Sequence, residues 1–237
     1  MSAASIDSRC VVAVTGLVIE ARIAAGTGVR PLAAGGDRKR LLAALEREVA
    51  RGAIAIISFG IAGGLTAVAV PGTCVVADNV VTPEGRWPVD ASWTAALTQN
   101  LPGAVRGDVA GADAIVAAPA DKLALGHALG AIAVDTESHI AASFASARRI
   151  PFAVVRVIAD PVARRLAAAA LRGMRPDGNI NYGAVFGSLL RQPGQLPALT
   201  RNAIDTRTAL RALSRGRRRL GPGLGYPDLG QLLLDVS

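Results

Sequence analysis

The chain has 237 residues, 51% of them hydrophobic but only 3% aromatic, with two cysteines and a formal net charge of +8. That length suits one α/β domain whose core must be built from Ala, Val, Leu and Ile; Cys10 and Cys74 exclude a disulfide scaffold and have no metal-ligand spacing. No uncharged apolar run reaches the ~18 residues of a spanning helix and residues 1–9 lack an apolar signal region, so the expectation is a cytoplasmic protein.

In chain order, Cys10 to Val14 reads as a short buried strand ended by Thr15-Gly16. Glu20 follows at the start of a loop or helix, where a first-turn acid complements the helix dipole. Asp37 to Arg51 has helical spacing, with Leu41, Leu42, Leu45 and Val49 on one face. Ala53 to Ser58 is a second buried strand, running into the glycine-rich turn Phe59-Gly60-Ile61-Ala62-Gly63-Gly64-Leu65. A glycine turn alone is weak evidence, since glycines mark any tight turn. Thr73 to Val81 is a strand, Pro83 to Pro88 a loop, and Pro119 opens a short helix containing Lys122 and His127. Neither His127 nor His139 has a partner spacing for a metal or a triad, so both are assigned structural roles.

The most informative stretch is Ala131 to Asp160. Ala131 to Val134 is a strand end, and Asp135-Thr136-Glu137-Ser138 opens an alanine-rich helix to Arg149. Ile150-Pro151 stops that helix, and Phe152 to Ala159 is an uninterrupted β-branched run ending in Asp160-Pro161. The reading is a strand, a crossover helix and a parallel strand, which places Glu137 and Asp160 at strand ends, where ligands of open sheets bind.

These residues also carry a resemblance. Asp135-Thr136-Glu137-Ser138, Arg156-Val157-Ile158-Ala159-Asp160 and the turn Gly60 to Leu65 together resemble the nucleoside phosphorylase and nucleosidase superfamily over roughly Val11 to Asp160. The resemblance implies a three-layer α/β/α fold with a central mixed β-sheet and a homodimer, with Trp87 and Trp93 either at the subunit contact or in ordinary packing. It places Asp160 against the base and Glu137, with Thr136, at the ribose. Ile61, Ala62 and Gly63 fall under the sugar, and Ile115 and Val116 supply apolar faces to the base. Glu20 is similar in type and place to the glutamate with which methylthioadenosine-type nucleosidases activate water. Phosphate-using relatives have an arginine in that first loop and a hydroxyl at the position of Ile61.

The last third differs. Residues 1–160 hold 14 Lys+Arg and 14 Asp+Glu, whereas residues 161–237 hold 12 and 4, so the whole positive excess lies there. It is nearly all Arg in an Ala/Leu setting with few aromatics, which argues against nucleic acid. Helices are expected over Ala163 to Met174, Ile180 to Arg191 and Ala198 to Arg219, forming a basic, apolar part of one domain spanning 1–237. Pro176-Asp177-Gly178, Gly183-Ala184-Val185, Ser188 to Gly194 and Leu196-Pro197 resemble the hopanoid-associated branch of the superfamily, in which adenine leaves adenosylhopane.

The expected function is therefore a purine nucleosidase that acts on a nucleoside-lipid, needs no cofactor or metal, and touches an anionic membrane at its inner face. Asp160 serves as acid, Glu137 as ribose ligand and Glu20 as general base. Phosphorolysis, with Arg22 or Arg30 as the cation, and a non-catalytic membrane-associated binding protein are the alternatives. Leu166, Leu171, Met174, Tyr182, Val185, Phe186, Leu189 and Leu190 are expected to line an apolar approach.

Overall fold

Alternate residues of three neighbouring strands pack into two separate cores, one on each side of a sheet. The structure, a computed structural model, describes residues 9–173, 178–179, 181, 183, 187–188, 191–227 and 229. Eight strands appear in it: β1 (Cys10–Thr15), β2 (Val29–Ala33), β3 (Ala53–Gly64), β4 (Cys74–Thr82), β5 (Gly85–Pro88), β6 (Val105–Gly111), β7 (Ala131–Asp135) and β8 (Phe152–Asp160). The helices are α1 (Val18–Ala24), α2 (Arg38–Ala50), α3 (Ala91–Asn100), α4 (Pro119–Leu129), α5 (Ser138–Arg148), α6 (Ala168–Gly173) and α7 (Leu196–Leu220).

Side chains alternate across a strand, so an uninterrupted apolar run needs cover on both faces. Val12, Val14, Ile56, Val154 and Ile158 join Leu41 and Leu45 of α2 and Ile140 and Phe144 of α5. Val11, Ala13, Ile57, Val155 and Val157 turn the other way, toward Trp93 and Leu97 of α3 and Ala209 and Leu213 of α7. The fold is thus a mixed α/β arrangement around a central mixed sheet.

That sheet closes on itself. β8 pairs parallel with β3 and antiparallel with β4. β4 pairs parallel with β6, and β6 with β7. β7 returns antiparallel to the last two residues of β3, Gly63 and Gly64. β3 is long enough to serve two neighbours in succession because its glycine-rich end continues the strand instead of turning. The expected crossover from β7 to a parallel β8 is therefore corrected: β8 is parallel to β3 and does not pair with β7.

Other differences are local. Pro83 to Pro88 contributes β5, which pairs with β4, and α3 was not legible as a helix. Trp93 is fully buried, donates from Nε1 to the Leu224 carbonyl and meets Tyr226 edge-on, so it is a core residue and not a subunit contact. The helix expected from Ala163 begins only at Ala168, and most of the stretch Ile180 to Arg191 lies outside the described residues.

Candidate functional site

Strand ends and loops from distant parts of the chain meet around a cavity of about 430 Å³. Glu20, Ile61, Ala62, Gly63, Ile115, Val116, Thr136, Glu137 and Asp160 all belong to its wall, joined by Asp113 and Asp135. These nine candidates for catalysis and substrate contact are thus brought to one place. The charged residues in this described lining are all acidic.

Glu20 lies in the first turn of α1, but it is buried and not solvated as a bare helix-start acid would be. Its Oε2 accepts from the Leu17 backbone N–H at 2.7 Å, and its Oε1 accepts from the Ile61 N–H at 2.8 Å. This ties the first loop to the glycine-rich end of β3. Burial pushes its carboxyl above the ordinary range, opposed by Arg156 and these backbone donors.

At the start of α5, the capping work falls to Asp135. Its Oδ1 accepts from the N–H groups of Glu137 and Ser138 at 2.8 and 2.7 Å, and its Oδ2 from the Ser138 hydroxyl at 2.5 Å. That leaves Glu137 free of capping and aimed at the cavity, with Oε1 accepting from the Thr136 hydroxyl at 2.6 Å. Burial is the main cause that raises the Glu137 pKa to about 7, with Arg156 pulling it down and Asp135 pushing it up.

Arg156 is the residue that ties these acids together, and its role was not read from the sequence. It sits on the β8 face shared by Val154 and Ile158, 1% exposed, with Nε 2.9 Å from Asp135 Oδ2 and Nη2 3.4 Å from Glu137 Oε2. Nη2 also donates to Ser58 Oγ at 2.5 Å, and Nη1 to the Ile61 carbonyl at 3.2 Å. Burial works against its charge, yet Asp135, Glu137 and Glu20 together hold its pKa above the usual value. A lone arginine inside an uninterrupted apolar strand was the available signal, because a buried charge needs buried partners. Gly60 makes the arrangement possible: a Cβ there would lie 2.8 Å from both Arg156 Nη1 and Glu20 Oε1.

Asp160 ends β8 and is part of the cavity wall. Its Oδ2 pairs with the Lys122 ammonium, while its Oδ1 is buried without a hydrogen-bond partner. Burial raises the Asp160 pKa, and Lys122 opposes the rise. His139 is half of a contact with Asp113, Nε2 to Oδ1 3.1 Å, away from any triad arrangement. Of the other cations considered, Arg30 is ion-paired with Glu48 at 2.6 Å, and neither Arg30 nor Arg22 belongs to the described wall.

A second cavity, of about 860 Å³, adjoins the first and shares Leu17, Ile61 and Thr206 with it. Its wall is formed by Ile19 and Ile23 of α1 and by Leu199, Ala203 and Leu210 of α7, with Arg207, Arg211, Arg215 and Arg218 along the rim. Leu166 and Leu171 instead line the first cavity; Met174, Tyr182, Val185, Phe186, Leu189 and Leu190 lie outside the described residues.

No curated protein matches the chain in sequence. Among solved structures, the chain is similar to the 5′-methylthioadenosine/S-adenosylhomocysteine nucleosidase of Helicobacter pylori, at 14% identity and a TM-score of 0.60 over 90% of this chain and 99% of that one. The S-adenosylhomocysteine nucleosidase of Streptococcus pyogenes gives 16% identity and 0.59 over 91% and 98%. A futalosine hydrolase mutant of H. pylori gives 14% and 0.59 over 66% and 90%. These likenesses concern the fold. In sequence, residues 38–174, more than half the chain and including Glu137 and Asp160, match the family model for the phosphorylase superfamily, and the protein is a member of that superfamily.

Proposed function

We propose that the protein is a purine nucleosidase that hydrolyses the N-glycosidic bond of an adenosine carrying a large apolar 5′ substituent. The observation that carries the reading is that Glu20, Glu137 and Asp160, three buried acids from separate elements, belong to the wall of one cavity of nucleoside dimensions. Similar folds are found in nucleosidases that take methylthioadenosine or S-adenosylhomocysteine.

Cleaving this bond develops positive charge on the sugar and negative charge on the base. Asp160, its pKa raised by burial, donates a proton toward the purine N7 and makes adenine a better leaving group. Glu137 accepts from the ribose hydroxyls and favours the cationic sugar. Glu20 orients and deprotonates water. Its two oxygens each hold one backbone N–H, and a carboxylate oxygen has a second lone pair for that purpose. Water is preferred over phosphate as the nucleophile because the charged groups in the described wall are all acidic and would repel an anion. Ser58, a neighbouring hydroxyl, is already engaged by Arg156 and Ser138.

The finer reading is that the substrate is adenosylhopane, giving adenine and a ribosylhopane in hopanoid biosynthesis. What supports it is the second cavity, largely apolar, sharing Leu17, Ile61 and Thr206 with the first and lined in part by arginines suited to anionic head groups. Among the described residues no helix is long and apolar enough to cross a membrane, so contact with a lipid surface would be peripheral. Adenine release from adenosylhopane and from methylthioadenosine, each with and without phosphate, tests the reading. The expected result is a phosphate-independent rate with the lipid preferred; strict phosphate dependence with a ribose-1-phosphate product overturns hydrolysis. Loss of preference for the lipid overturns only the finer substrate.

A further inference from the structure

Lys122 is 0% exposed in a helix whose composition reads as an ordinary Ala/Leu surface helix. An ammonium has three N–H donors and no acceptor. Here all three have destinations: the Pro161 carbonyl at 3.2 Å, the Arg164 carbonyl at 2.8 Å, and Oδ2 of Asp160. The two carbonyls belong to the turn that directly follows β8, so one side chain from α4 fixes both the carboxyl and the backbone leading away from it. Burying a lysine completely is costly unless its charge is paired, and structural anchoring of a turn does not by itself call for a charge.

We propose that Lys122 is a positioning residue for Asp160: it holds Oδ2 and the 161–164 turn so that Oδ1 alone is left for the base, and its fixed charge stabilises the carboxylate formed as the proton leaves. The inference rests on the nucleosidase reading for the identity of the base. Its physical basis is the asymmetry of the carboxyl, one oxygen ion-paired and the other buried without a partner in a residue of the cavity wall. The proton on Oδ1 passes to the purine N7, the C–N bond electrons move onto the base, and the negative charge left on Asp160 faces the Lys122 ammonium. Two other charged groups act on Asp160: Asp205 of α7 and Arg164 of the turn, which are themselves ion-paired. Their effects on the carboxyl are opposite in sign, which leaves Lys122 the largest of the charged influences.

The sign of the effect follows. Asp160 must carry its proton to donate it, so activity falls as pH rises through its pKa. Removing the ammonium in Lys122→Met should move that basic limb of the kcat/KM profile upward by one unit or more. The plateau rate should fall about ten-fold or further, since the carboxylate formed is less stabilised. Lys122→Arg keeps the charge and should keep the limb near its wild-type position. In an Asp160→Asn background, Lys122→Met should have little further effect on rate. A ¹³C NMR titration of the Asp160 carboxyl in wild type and Lys122→Met reads the same displacement without substrate. A lowered melting temperature with both the profile and the carboxyl titration unmoved would make Lys122 merely structural and overturn the proposal, as would a Lys122→Arg limb displaced as far as that of Lys122→Met. A wild-type protein that releases no adenine would instead remove the nucleosidase reading, leaving the carboxyl titration to judge Lys122.

Discussion

Arg156 and Asp135 form an ion pair closed off from solvent, with Nε 2.9 Å from Oδ2 and side chains 1% and 2% exposed. Removing one member of such a pair costs about 3–5 kcal/mol, because it strands a buried charge. Arg156→Met would strand Asp135 and withdraw the countercharge of Glu137 and Glu20 as well. Urea unfolding should show a loss of at least this size. Arg156→Lys should recover little of it, since one ammonium cannot reach Ser58, Asp135 and the Ile61 carbonyl as the guanidinium fork does.

Asp160→Asn tests the proposed acid. The amide keeps an oxygen to accept from Lys122, so the fold should be retained, with a lowered melting temperature because the buried ammonium loses its counter-charge. Adenine release should drop by roughly 10²–10⁴, the usual contribution of a general acid. Turnover near that of the wild type would take Asp160 out of the mechanism.

The raised acids make stability depend on pH in a definite direction. The Glu137 carboxyl is pushed up to about 7 in the folded chain from an ordinary glutamate value of 4.5, so its contribution is present in full below the lower value and lost as pH rises through the higher one. Glu20 and Asp160 are displaced the same way. The melting temperature should therefore fall between pH 5 and 8. Glu137→Gln should flatten that fall, by an amount on the order of 3 kcal/mol if the whole displacement counts. A melting temperature that rises over this window contradicts the assignment.

The rim of the second cavity gives a test of the lipid reading. Arg207, Arg211, Arg215 and Arg218 are exposed along α7, and each is worth roughly 1 kcal/mol near an anionic surface. Flotation with anionic vesicles should succeed at low salt, weaken at high salt, and fail when all four are changed to Glu. Flotation unaffected by those changes would place any membrane contact elsewhere.

Much of this was legible in the sequence, and what was not has physical reasons. Apolar runs gave β1, β3 and β8, because strands covered on both faces have no alternation to misread. The two acidic motifs led to Glu137 and Asp160, and the position after Gly16 to Glu20; all three line the cavity. The partner of β8 was not legible, since a strand's neighbours depend on pairing between distant segments. β5 and α3 have weak local patterns and are held by tertiary packing. Lys122 gave no signal at all: in Asp121-Lys122-Leu123 it looks like any wet helix charge, and only the arrival of the turn after β8 turns it inward.

The ring of strands has a consequence for how the chain is made. β8 is the last of the described strands in sequence, yet it fits between β3 and β4, both made long before it. Until residues 152–160 emerge, those two strands each keep an edge with unpaired N–H and C=O groups and a largely apolar composition, the features that recruit another chain. A nascent chain stopped short of β8 should therefore be sticky through those two edges, and one released just past it should keep only the open apolar face that α7 later covers. The strand that protects those two edges is also the one that brings the proposed acid, Asp160, into the cavity wall, so edge protection and the proposed acid arrive together.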